Sequence, residues 1–119
     1  MLRLGCKLWL ENEQGEKAFG GGPSDLLQGV ERLGSLRGAA AEMGMSYYQA
    51  WKLISLLEQR LGFKLLARQV GGKRGGGSSL TPQAGRLMQA FGDFHEEAQK
   101  NLEQIFSRHF GPEKSRGKE

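Results

Sequence analysis

Six cations, Arg60, Lys64, Arg68, Lys73, Arg74 and Arg86, fall between Gln59 and Gly92, and no aspartate or glutamate lies among them. The net charge of the 119-residue chain is only +4, and the segments on either side are each slightly acidic. The whole positive excess therefore sits in one stretch. A solvated surface has no need of such segregation, whereas a polyanion rewards it, because basic side chains release condensed counterions on meeting phosphate. Immediately upstream, Ser46, Tyr47, Tyr48, Gln49, Lys52 and Ser55 supply hydroxyl, amide, ammonium and aromatic groups within one short stretch. Those are the groups that read base edges in a major groove.

Chemistry of other kinds finds little support. His95 and His109 lie 14 residues apart on one predicted helix, ~21 Å along its axis, too far to share a metal within one chain. Asp93, Glu96 and Glu97 face no converging second carboxylate pair, and no Ser-His-Asp, Cys-His or HExxH arrangement is visible. The run FGGGPSD lacks the lysine and hydroxyl residue of a phosphate-binding loop. Cys6 is the sole cysteine, which rules out an intrachain disulfide and suits a reducing compartment. The start of the chain has neither the long apolar run of a signal peptide nor that of a membrane span. The expectation is a binding protein of the cytoplasm, with no enzymatic activity, no metal, no cofactor and no membrane partner.

The polar and aromatic set has to be positioned, and Gly34–Gln59 is the stretch that does it. Ser35 caps a helix in which Leu36, Ala39, Ala40 and Met43 share one face. Gly44 ends it in a left-handed conformation, and Ser46 with Gln49 forms a capping box that opens a second helix almost at once. In that second helix Ala50, Ile54, Leu57 and Leu61 form the buried stripe, with Leu53 on its shoulder and the polar set off it. An ordinary packed helix pair would show the same stripe; the adjoining cationic segment favours a DNA reader.

The remaining elements follow in order. Leu2, Leu4, Cys6, Leu8 and Leu10 alternate with Arg3, Gly5, Lys7 and Trp9, which predicts a strand with Cys6 on its buried face, returning through Lys17–Phe19 as a hairpin. Pro23 opens a first helix with Leu26, Leu27, Val30 and Leu33 inside. Phe63 to Arg68 alternates as a strand, and VGGKRGGGSSL follows as a glycine-rich tip carrying Lys73 and Arg74. Such a tip is suited to lie along a phosphate backbone or in a minor groove, or else is a plain surface loop. Thr81 and Pro82 start a long helix reaching to about Phe110. Along it Leu87, Phe91, Phe94, Ala98, Leu102 and Ile105 recur in steps of three or four, a stripe that a small body cannot cover in full. A second copy of the same helix would cover it.

The segments GSLRGAAAEMGMSYYQAW, GGKRGGG and LTPQAG together resemble the N-terminal DNA-binding domain of the molybdate-responsive (ModE) transcription regulators, over about residues 4 to 95. LEQRLGFKLLARQ is also similar to the LysR-type regulators. The resemblance implies an α+β fold, a winged helix-turn-helix with an N-terminal β-hairpin and a long C-terminal dimerisation helix. The expected layout is a DNA-binding domain over residues 1–80, a dimerisation helix over 81–110 and, from its polar, Gly/Pro-broken composition, a disordered tail over 111–119. The resemblance also implies a homodimer on palindromic double-stranded DNA. Ser46, Tyr47, Tyr48, Gln49 and Trp51 would then open the recognition helix, and Lys73 and Arg74 would occupy the wing. Trp51 has two readings, one facing DNA and one packing beside Ala50. Nothing after the long helix matches the oxyanion-binding domains of that family, so the expectation is a stand-alone module, with any effector sensed by a separate protein. The competing classes are a winged helix that docks proteins and a non-specific architectural DNA binder.

Overall fold

In the computed structural model, residues 1–72 and 75–111 are described, with backbone alone over 69–72 and 75–76. Lys73, Arg74 and the tail from residue 112 lie outside the described residues. The chain order is β1 (Trp9–Glu11), β2 (Lys17–Gly20), α1 (Gly21–Leu33), α2 (Leu36–Glu42), α3 (Tyr47–Leu61), β3 (Leu66–Gly72), β4 (Gly75–Leu80) and α4 (Pro82–Phe110). The strands form two separate antiparallel hairpins, β1–β2 and β3–β4. In the first, Leu10 stands opposite Phe19; in the second, Leu66 stands opposite Leu80.

One core serves all of this. Phe19 from β2, Leu26, Leu27 and Val30 from α1, Leu36, Ala39 and Ala40 from α2, and Ala50, Ile54 and Leu57 from α3 are buried together. Leu65, Ala84 and Phe91 complete the cluster. The first turns of α4 thus belong to the same core as residues 1–80. The Phe91 ring meets Phe19 edge-on, with centroids 5.4 Å apart and planes at 83°. Full burial of such a side chain stabilises the fold by about 1.5–3 kcal/mol.

The small residues of α2 take effect against α1. A Cβ at Gly29 would lie 2.9 Å from the Ala39 Cβ and 3.3 Å from its Cα, so the two helices touch backbone to side chain there. Arg32 clamps the far end of this pair, donating two hydrogen bonds of 2.8 Å to the Glu42 carboxylate. These bonds hold the Glu42 carboxyl below its usual range. Its contribution is therefore complete above the unfolded pKa of about 4.3 and fades only as pH falls through the lowered folded value. Both groups are solvent-exposed, so the clamp adds orientation more than stability.

Several expectations need correction. The long N-terminal strand is reduced to Trp9–Glu11, and Cys6 is exposed instead of buried. The cause is the partner: β2 ends at Gly20, opposite Trp9, and α1 begins at the next residue, so no return strand faces residues 2–8. Leu33 and Met43, expected inside, are exposed at the ends of α1 and α2. The α1 helix opens at Gly21, with Pro23 at its third position, where the missing amide is still harmless. The strand predicted from Phe63 starts only at Leu66.

That last shift has a specific cause. The Glu58 carboxylate, largely buried, accepts hydrogen bonds from the Leu65 amide at 2.8 Å and the Leu66 amide at 3.3 Å. It thereby holds the turn after Gly62 against α3. Leu65 is fully buried behind it, while the Leu65 carbonyl accepts from the Thr81 amide at 3.0 Å. Glu58→Ala leaves two inward amides without their acceptor and is expected to cost roughly 1–3 kcal/mol. A urea titration checks this, the loss showing as a lower midpoint at unchanged slope.

Candidate nucleic-acid interface

The α2–α3 unit is built by local hydrogen bonds. The Ser35 hydroxyl accepts from the Gly38 amide at 2.9 Å and starts α2. At its end the Met45 amide donates to the Ala40 carbonyl at 2.9 Å and the Gly44 amide to the Ala41 carbonyl at 3.1 Å. This pair of bonds requires a left-handed residue between them, and Gly44 provides it with φ +72. Ser46 then caps α3: its hydroxyl accepts from the Gln49 amide at 3.0 Å, and its own amide donates to Gln49 Oε1 at 2.9 Å. The two helices are thus fixed in relation by four residues, Met43–Ser46, and no acidic side chain sits in the first turn of either.

The exposed face of α3 carries an aromatic pair. Tyr48 and Trp51 are 63% and 51% exposed, and their rings stack with centroids 6.5 Å apart and planes at 20°. The Lys52 ammonium lies 5.3 Å from the Tyr48 ring centre. Trp51 therefore stands outside the core: Ala50 is buried beside it and Trp51 is not. Tyr47 is different. It is half-buried against the core, with the Arg37 guanidinium 4.3 Å above its ring.

The other polar residues of the expected face divide the same way. Ser46 and Gln49 are exposed but engaged with each other in the capping box, so the Gln49 amide oxygen is already accepting a bond. Ser55 is half-buried. Tyr48, Trp51 and Lys52 remain as the side chains standing clear of the protein.

The cations divide too. Arg60 Nη1 donates to the Lys17 carbonyl at 3.0 Å, tying the end of α3 to the first hairpin. The Lys64 ammonium lies 3.6 Å from Glu58 but is well exposed. Arg68 on β3 and Arg86 on α4 are exposed. Lys73 and Arg74 fall outside the described residues. The strands that lead to them are nevertheless placed: Gly72 pairs with Gly75, and the Ser78 amide donates to the Gly34 carbonyl at 3.0 Å. A Cβ at Gly77 would stand 2.8 Å from that carbonyl, so the returning strand can rest on the α1–α2 turn only as glycine.

On α4 the expected stripe splits at Phe91. Phe91, placed on the subunit stripe by its spacing, is buried in the core of its own chain, and Leu87 is half-buried against the same cluster. Beyond them Phe94 and Ile105 are 47% and 43% exposed, and Ala98 and Leu102 are half-buried. With 29 residues, the helix extends ~43 Å.

Arg37 and Glu58 were not assigned roles by sequence, whereas Trp51 was named there with two readings. Arg37 and Glu58 act across elements and leave no local pattern. Among the described residues no three His, Cys, Asp or Glu side chains gather as a metal site, and no helix is long and apolar enough to cross a membrane.

A three-helix core with capped, tightly turned α2 and α3, followed by a hairpin on their flank, is a winged helix-turn-helix. Residues 25–85 match the family model of the bacterial regulatory helix-turn-helix proteins, lysR family, and the chain belongs to that family. The molybdenum-pterin-binding protein MopB of Rhodobacter capsulatus is 39% identical over 67 residues, covering 56% of this chain and 25% of that protein. The transcriptional regulator ModE of Haemophilus influenzae is 37% identical over 76 residues, 64% of this chain and 29% of that protein. The ModE dual regulator of Escherichia coli K12 is 38% identical over 66 residues, 56% and 25% respectively. The matched stretch thus spans between a quarter and three tenths of these relatives. Among solved structures, ArgP from Mycobacterium tuberculosis shares the fold at a TM-score of 0.51 and 21% identity, over 71% of this chain and 30% of that one. Both resemblances read from the sequence hold.

Proposed function

We propose that this chain is a sequence-specific DNA-binding regulator that acts as a homodimer in the cytoplasm. The observation that carries the reading is the exposed Tyr48–Trp51 pair with Lys52 beside it, at the start of a helix whose opposite face is buried. Among the described residues, the core does not include these three side chains. In a major groove Lys52 reaches the guanine acceptors, while the aromatic faces meet the apolar feature the groove offers, the thymine methyl. Ser46, Gln49 and Ser55 stay on the groove side in supporting positions, with Gln49 holding the cap. Tyr47 positions Arg37, which we add to Arg60, Lys64, Arg68 and Arg86 as a backbone-facing cation. Two copies of α3 would enter successive major grooves roughly 34 Å apart.

Residues 1–80 with the first turns of α4 form the DNA-binding unit in this account, and the exposed length of α4 from Phe94 through Ala98, Leu102 and Ile105 forms the dimer seam. Any response to molybdate or another effector comes from outside the residues described, through a further domain or a separate sensor protein. Footprinting of bound genomic sites, with and without molybdate, tests the reading: it predicts two protected half-sites with two-fold symmetry. Protection without any shared sequence would point to the architectural alternative.

The wing makes a separate prediction. Replacing Lys73 and Arg74 with alanine removes two phosphate contacts. Affinity should fall for specific and non-specific duplexes alike, and the slope of log K against log salt should drop by roughly 1.8 per subunit. A salt titration by fluorescence anisotropy measures it; an unchanged slope takes the wing off the DNA.

A further inference from the structure

The first ten residues hold a pattern that the fold uses only in part. Leu2, Leu4, Cys6 and Leu8 continue the face of Leu10 by strict alternation, yet only Trp9–Glu11 lie in a strand. Leu2 is 67% exposed and Cys6 is exposed as well, while Leu4 and Leu8 are half-buried. The place where this face emerges is informative. Leu10 packs on the core opposite Phe19, Phe19 meets Phe91, and Phe94, the next residue of the α4 stripe, is exposed. The leucine row thus runs out from a strand whose partner, β2, itself touches α4 through Phe19 and Phe91.

We infer that residues 2–10 pair antiparallel with the same residues of a second copy, in a register centred on Cys6. The β1–β2 hairpins of the two copies then become one four-stranded sheet. The sequence selects both the occupant and the register. Centred on Cys6, Leu2 faces Leu10, Leu4 faces Leu8 and Cys6 faces its counterpart, all on one side. On the other side Arg3 faces Trp9, a favourable cation–aromatic pair, and Gly5 faces Lys7. Centring on Gly5 would set Arg3 against Lys7, and centring on Lys7 would set that lysine against itself. Either puts like charges directly opposite, although centring on Lys7 also sets Arg3 against Glu11, and centring on Leu4 or Leu8 would pair only five of the residues 2–10. A shift of odd parity would place leucines across from Arg3 and Lys7 and mix the two faces. A strand lacking this palindromic arrangement of apolar and charged positions would not match it along its whole length. The contact adds to the proposed dimer and does not depend on DNA binding.

Opposed residues in such a pair have Cα atoms about 4.5–5.5 Å apart, within disulfide reach. The test is oxidation of the full chain by diamide, which takes up two electrons and two protons as two Cys6 thiols become one disulfide. Sedimentation is measured in parallel. The expected result is near-complete conversion of the native chain to a covalent dimer, lost with Cys6→Ser. In that Cys6→Ser background, Leu4→Cys alone and Leu8→Cys alone should stay monomeric on a denaturing gel, and a mixture of the two should cross-link. A chain that sediments as a dimer yet fails to link at Cys6 overturns the inference while leaving the α4 dimer standing. Equal linking of Leu4→Cys to itself, or a monomeric chain, overturns it also.

Discussion

Glutamate at both Leu102 and Ile105 is expected to give a folded monomer whose affinity for a two-half-site duplex falls by about 10²-fold or more. The magnitude follows from linkage. Once one α3 is bound, a tethered partner sees its half-site at an effective concentration that raises avidity by roughly 10²–10⁴-fold. Losing the tether loses that factor without touching a DNA contact. The fold should survive, because the core cluster draws on α4 only through Ala84, Leu87, Met88 and Phe91. Leu102 and Ile105 lie more than two turns beyond it. Two carboxylates on the stripe would meet two more from the partner, desolvated and like-charged. The N-terminal ribbon alone would not rescue the dimer, since an isolated strand pair is marginal in water. Sedimentation equilibrium reads the monomer, thermal melting confirms the fold, and anisotropy on one and two half-sites reads the affinity. A monomer that bound the full site as tightly as the native chain would remove α4 from the mechanism.

The second large effect belongs to the aromatic pair. Tyr48→Ala with Trp51→Ala should weaken binding to the preferred site by roughly 10- to 100-fold, equivalent to the 1–3 kcal/mol that good base contacts are worth. Binding to a scrambled duplex should barely change, because phosphate contacts supply it. Stability should also hold, since both rings stand outside the core. The same contact can be removed from the DNA side. Replacing thymines of the preferred site with deoxyuridine deletes only the methyl groups, and this should weaken the native protein but not the double variant. Equal losses on specific and scrambled DNA would mean that the rings support the helix and do not read bases.

How much of this was legible in the sequence depended on the range of the interactions. The caps at Ser35, Ser46 and Thr81 were readable because each closes within three residues. The Gly44 turn was readable for the same reason. Helix stripes were readable in their middles and failed at their ends, at Leu33 and Met43, where one more turn of periodicity no longer faces a neighbour. Residues 2–8 failed because alternation shows what a strand would bury, while pairing depends on how long the partner strand runs. Phe91 was placed on the right stripe but on the wrong side of the boundary between intrachain core and exposed seam. The stripe is continuous in sequence, and only the position of Phe19 divides it. The candidate site could be named from sequence only as a set of residue types. Which of them stood free was not legible: Gln49 is engaged in its cap, Tyr47 under Arg37, and Arg60 at the Lys17 carbonyl.

The most direct measurement compares equilibrium affinity for a duplex selected from random DNA with that for its scrambled counterpart, at one fixed salt concentration near physiological. Presentation of Tyr48, Trp51 and Lys52 into the major groove by a paired α3 predicts a ratio on the order of 10³ or higher. A ratio near one, with both duplexes bound or neither, would contradict it.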